Sequence, residues 1–126
     1  MADTFHLTGT WSTQPFTGTP SGAVSLDTPF DEYMTLIAKA VGTYTLIADA
    51  VQAVSFDGLS QVHVVAIKTF GGKVTVRLTS ADGTTQSVPV DSFAVLMSYA
   101  VPFTAIDVAR VAGVSTVVNV FLGQHG

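Results

Sequence analysis

The chain has 126 residues, 5 basic and 9 acidic side chains for a net charge of −4, an isoelectric point near 4.9, and no cysteine. One domain of this length buries a core of its own without staples. The missing cysteines exclude disulfides and thiolate zinc sites, and an acidic balance with no cluster of Lys or Arg excludes a nucleic-acid partner.

In chain order, residues 4–11 read as a first strand, with Phe5 and Leu7 facing opposite His6 and Thr8. In residues 8–22, 12 of 15 positions are Thr, Ser, Gly or Pro. Such a stretch forms no helix and buries little, so it is expected to be an arm, an extended edge or a long loop. Trp11, Phe16 and Phe30 are the large apolar groups of this region; they either dock into a neighbour or fold back to cap the chain's own core. Residues 23–26 are a short strand candidate closed by a turn at Asp27, Thr28 and Pro29. Asp27, Asp31 and Glu32 form the one local acidic cluster; it lacks the ordered oxygen spacing of a calcium loop and reads as a solvated turn.

Residues 33–54 contain an echo, Thr35-Leu36-Ile37-Ala38-Lys39-Ala40-Val41 and then Thr45-Leu46-Ile47-Ala48-Asp49-Ala50-Val51. Gly42, the run Thr43-Tyr44-Thr45 and the valines favour two strands joined near Gly42 over a helix. Residues 51–56 continue as a strand to the turn at Asp57-Gly58. Residues 62–90 read as a three-stranded antiparallel meander: Val74, Val76 and Leu78 alternate with Lys73, Thr75, Arg77 and Thr79, and Gly71-Gly72 and Asp82-Gly83 mark hairpin turns. Pro89 places the last of these strands at a sheet edge. Residues 93–97 form a continuous apolar run, expected to be buried on both faces. Residues 106–109 give a short strand, Ala112-Gly113 a turn, and residues 114–122 a final strand. That strand sets Val114, Thr116, Val118, Val120 and Leu122 toward the core, and leaves Val117 and Phe121 to meet a second surface.

Nine or ten short strands at such spacings predict an all-β fold: an antiparallel β-sandwich, with a jelly roll as the specific topology and an extended N-terminal arm. Residues 1–30 form the arm and first short strands, and residues 31–126 the body, within a single domain. Residues 92–106 and 111–122 are too short or too interrupted for a membrane-spanning helix. With Asp3 and no basic region ahead of an apolar run, no secretory signal is expected. The chain is expected to work in an aqueous compartment without a membrane partner.

Chemistry is sparse. His6, His63 and His125 lie far apart, none at ligand spacing from another His or carboxylate, so no metal and no cofactor is expected; His63 reads as a hydrogen-bonded, partly buried imidazole. No nucleophile elbow, phosphate loop or dinucleotide fingerprint is present. No catalytic residue stands out, and the chain is expected not to be an enzyme. The informative number is the charged fraction, 11% beside 48% hydrophobic residues, against about 25% charged in ordinary soluble domains. So lightly charged a skin is expected to be covered by copies of the chain or by a partner. A monomer solvated by Thr and Ser is the plain alternative.

A cysteine-free, charge-poor, Thr/Val/Ala/Gly-rich chain with a Ser/Thr/Gly/Pro arm ahead of a strand-and-turn body resembles small structural proteins of tailed-phage virions. The segments Gly71-Gly72-Lys73-Val74-Thr75-Val76-Arg77-Leu78-Thr79-Ser80 and Val101-Pro102-Phe103-Thr104-Ala105-Ile106-Asp107 are similar in style to capsid decoration (cement) proteins and tail-associated sandwiches. The resemblance implies a non-enzymatic subunit of the virion, assembled in the host cytoplasm. Such a subunit forms a homo-oligomer and clamps the major capsid protein or another virion protein. Phe5, Trp11, Phe16, Phe30, Val117 and Phe121 are the candidate partner-binding residues. The competing expectation is a tail- or fibre-associated module that binds a carbohydrate receptor on exposed rings, with Trp11, Tyr33, Tyr44 and Tyr99 as candidates.

Overall fold

The structure, a computed structural model, describes residues 3–11 and 28–126. Among them are nine strands and no helix: β1 (Asp3–Trp11), β2 (Thr28–Leu46), β3 (Gln52–Ala53), β4 (Val64–Phe70), β5 (Val74–Ser80), β6 (Thr85–Val90), β7 (Phe93–Met97), β8 (Phe103–Arg110) and β9 (Thr116–His125). Every pairing is antiparallel. One sheet has the order β1-β2-β9-β4-β7 and the other β3-β8-β5-β6. The all-β expectation holds.

Alternation decides which side chains are inside. On β5, Val74, Val76 and Leu78 are buried while Thr75 and Arg77 are exposed, and on β9, Thr116, Val118, Val120 and Leu122 point inward. These join Val65 and Ile67 of β4 and Ile106 and Val108 of β8 in one cluster that draws on both sheets. Outside, Arg77 faces Asp107 across the β5–β8 ladder, its Nη2 2.6 Å from the carboxylate. Pro89 lies on β6, an edge strand, where its missing N–H costs no ladder bond. The turns at Asp57-Gly58 and Asp82-Gly83 are as expected: Asp57, Gly58 and Gly83 have φ of 50°, 88° and 87°.

A second, smaller cluster lies on the opposite face of the five-stranded sheet. Met34, Leu36 and Val64 are buried there, with Phe5, Met97 and Phe121 packed against them. Its origin is a bulge in β2: Leu36 pairs with His125 and Ala38 with Gln124, so Ile37 is an extra residue. One inserted residue reverses the side-chain period. Met34 and Leu36 therefore face the outer cluster, while Ala40 and Leu46 of the same strand face the main core. The sheet also curls, bringing Tyr99, just beyond β7, to donate a hydrogen bond from its hydroxyl to the carbonyl of Tyr33 on β2, with β9 and β4 lying between their strands.

Several expectations are corrected. Residues 33–54 do not form two strands: β2 runs unbroken through Gly42, whose missing side chain leaves room for the Tyr44 ring, 3.2 Å from where a Cβ would stand. Thr28, Pro29, Asp31 and Glu32 are not in a turn but in β2, which pairs Asp31 with Thr8 and Glu32 with Leu7, while Asp27 lies outside the described residues. The strand at 51–56 shrinks to Gln52–Ala53. The meander is half right. β5 and β6 form the hairpin, but β4 pairs with β7 and β9, and Gly71-Gly72 carries the chain from one sheet to the other. Two sheets sharing a core impose the same alternation on a crossing as on a hairpin, so periodicity does not separate them. β7 is an edge strand with Phe93 exposed, and Val114 precedes β9 and is exposed. Residues 8–11 belong to edge strand β1, whereas residues 12–22 and the strand expected at 23–26 lie outside the described residues.

Candidate functional site: the outer face of the five-stranded sheet

The register of four strands aligns three rungs across the outer face of the five-stranded sheet. The first is Val41, Phe121, Ala66 and Val95; the second Thr43, Asn119, Lys68 and Phe93; the third Thr45, Val117 and Phe70. Apolar groups dominate the outer two rungs. Val41 is 74% exposed, Phe93 60% and Phe70 49%, while Val117 and Phe121 are half-buried. Contiguous exposed aliphatic and aromatic side chains of this kind mark interaction surfaces.

The middle rung is polar except for Phe93 at its end, and its polar side chains are hydrogen-bonded. Thr43 Oγ1 donates to Asn119 Oδ1 at 3.0 Å, and Lys68 Nζ donates to Ser92 Oγ at 2.8 Å while lying 5.4 Å from the centroid of the Phe70 ring. Between the rungs runs an open trough of about 550 Å³, lined by Val41, Thr43, Ala66, Lys68, Phe93 and Phe121 among others. Its volume lies in the range of small-ligand sites, but its form is shallow and its walls are mostly apolar.

Of the partner-binding candidates, the structure brings two together in the fold itself. Phe5 of β1 stacks on Phe121 of β9 with ring centroids 5.7 Å apart and planes at 25°. Phe121 thus stands between the outer cluster and the trough. Val117 sits opposite Phe70 in the third rung. The backbones of Trp11 and Phe30 occupy β1 and β2, paired with Thr28 and Gly9, and Phe16 lies outside the described residues. Val41, Phe70 and Phe93 are not among the candidates the sequence offers, because the alternation around Val41 assigns it no face and the apolar run at 93–97 implies burial on both faces. The signal that was present is Lys68: a lysine in alternation with Val65 and Ile67 identifies an outward face, and Phe93 is its cross-strand partner.

The tyrosines named for sugar stacking have other work. Tyr44 Oη accepts the Ser55 amide at 2.8 Å, Tyr99 reaches the Tyr33 carbonyl, and Tyr33 stacks on His6 with centroids 4.2 Å apart.

Where the start of β4 pairs with the end of β9, two histidines distant in sequence meet. His63 is buried, and its Nδ1 accepts the backbone N–H of His125 at 3.0 Å. The His125 ring stands edge-on to both His63 and Tyr99, at 5.8 and 5.5 Å, and its Nδ1 lies 2.9 Å from the Thr35 carbonyl on β2. Burial, and to a lesser degree the charge of His125, hold His63 below the ordinary imidazole range. The imidazole is hydrogen-bonded as expected, and it is buried rather than partly buried.

No protein-family model, curated protein or solved structure matches the chain.

Proposed function

We propose that the chain is a non-enzymatic structural protein of a tailed-phage virion, a capsid decoration subunit that oligomerises and bridges neighbouring shell subunits through the outer face of its five-stranded sheet. The observation that carries this reading is the set of exposed side chains Val41, Phe70 and Phe93 on a chain with few charges to solvate its surface. On this reading the fold is a jelly-roll sandwich. The nested pairs β2–β9, β3–β8, β4–β7 and β5–β6, divided between two four-stranded sets with β1 added at one edge, support it. Jelly rolls serve viral capsid and lectin domains.

Light scattering of the purified chain across a concentration series tests the reading, together with imaging of any particle that copurifies. Wild type is expected to be oligomeric or particle-bound. Val41→Lys combined with Phe93→Lys is expected to be monomeric with a thermal midpoint close to wild type, because both side chains project into solvent. A wild-type chain that stays monomeric at every concentration and is absent from particles overturns the proposal.

The trough favours one alternative, a carbohydrate-binding tail or fibre module. There the exposed Phe93 ring would face a sugar while Asn119, Thr43 and Lys68 supply polar contacts. Glycan binding abolished by Phe93→Ala, in a protein that remains monomeric, selects it over the assembly role.

A further inference from the structure

We propose that His63 and His125 form a pH-sensitive latch that holds the hairpin of β1 and the first half of β2 against the rest of the sheet, and that acid releases it. The hairpin is a separable piece. Among the described residues β1 pairs only with β2, the bulge at Ile37 breaks the β2–β9 register, and Met34 and Leu36, buried before the bulge, belong to the small outer cluster rather than to the main core. Besides the apolar packing of Phe5, Met34 and Leu36 on Val64, Met97 and Phe121, polar and backbone contacts tie this piece down: the Leu36–His125 rung, His125 Nδ1 with the Thr35 carbonyl, and the Tyr99 hydroxyl with the Tyr33 carbonyl.

His63 controls the strand end that makes two of these. Its Nδ1 lone pair accepts the His125 N–H, so the folded ring is neutral with its proton on Nε2. Protonation places a second N–H on Nδ1, facing the His125 N–H, and the hydrogen bond is lost. The residue is 5% exposed, so a charge on its ring is poorly solvated. The ionisable groups arranged about it are the His125 ring on β9 and Tyr99 beyond β7. Farther out are Tyr33 and Lys39 on β2, the latter paired with Gly123, and His6 on β1 against Tyr33. Positive charge on the His125 ring, 5.8 Å away, further disfavours charge on His63, which reinforces release.

The sign follows from linkage. A group whose folded pKa is depressed favours folding of its segment above the unfolded value near 6.5, and that preference is lost as pH falls through the folded pKa. The loss of this contribution therefore begins below about pH 6.5 and is complete below the folded pKa of His63, which shifts the latch toward its open form. The latch does not depend on the assembly role.

Amide hydrogen exchange on the full chain at about pH 7.5 and about pH 5, corrected for intrinsic rates, reads the release. Protection of residues 3–11 and 28–36 is expected to fall at the lower pH relative to β5 and β8. The fall is about tenfold for each unit separating the folded and unfolded pKa values of His63. His63→Gln keeps an acceptor for the His125 amide without titrating, and its ratio is expected to be flat. An unchanged ratio in wild type, the same pH response in His63→Gln, or equal loss across β5 and β8 overturns the latch. Should His63→Gln not fold, a wild-type NMR titration decides. Amides of β1 must move with the midpoint of the His63 ring resonances, and a different midpoint overturns the proposal.

Discussion

Leu36 stands where a side chain on Gly123 would have to go: a Cβ at Gly123 would lie 2.8 Å from Leu36 Cδ1 and 2.9 Å from Cδ2. Leu36 is 2% exposed and enclosed in the outer cluster, so making room for a Cβ means repacking that cluster. Gly123→Ala is therefore expected to destabilise by about 1–3 kcal/mol through overpacking. Denaturant unfolding measures it. A variant as stable as wild type would mean that the outer cluster is loosely packed.

The crossing between sheets rests on Gly71. Its φ of 95° disfavours any L side chain, and a Cβ there would stand 2.9 Å from the Ser115 carbonyl oxygen. Gly83 has a similar φ of 87° but open space around it. Gly71→Ala and Gly83→Ala share the backbone cost, about 1–2 kcal/mol. Only the first adds a clash with main chain, so its urea midpoint is expected to fall further. Equal midpoints would remove the argument that Gly71-Gly72 is a close passage rather than a turn.

Asp49 ties the segment after β2 to the end of β8. Its Oδ1 accepts the Gly113 N–H at 3.0 Å and Arg110 Nε at 2.9 Å. The Gly113 amide first, and Arg110 second, hold its carboxyl below the usual carboxylate range. A depressed folded pKa means stability present above the unfolded value near 3.8 and lost as pH falls through the folded pKa. Asp49→Asn is expected to have a lower thermal midpoint than wild type near neutral pH, with the gap narrowing below about pH 4. A gap that does not change with pH would show that the carboxylate's charge contributes nothing.

Much of the strand content was legible because burial on one face writes a period of two into the residues. Val74, Val76 and Leu78 on β5 and Val118, Val120 and Leu122 on β9 are inside as that period requires. Turn chemistry was equally direct at Asp57-Gly58 and Asp82-Gly83, where positive φ is needed. Gly42 shows the limit: a glycine in a strand pattern marks either a break or a close approach, and only the position of the Tyr44 ring distinguishes them. The candidate site was half legible. Val117 and Phe121 were visible as the second face of an alternating strand. Val41, Phe70 and Phe93 were not, because their placement depends on which strands become neighbours.

By itself the order of residues determined that this chain is all-β, which side chains of its regular strands go inward, and that its skin is poor in charge. These are properties of neighbours one or two positions apart and of composition. Only the tertiary structure decided that β4 and β5 part into different sheets, that an extra residue at Ile37 turns Met34 and Leu36 away from the main core, and that His63 meets His125. Those outcomes turn on pairing between strands far apart in the chain. Such pairing is selected by the packing of the whole molecule and leaves no local period to read.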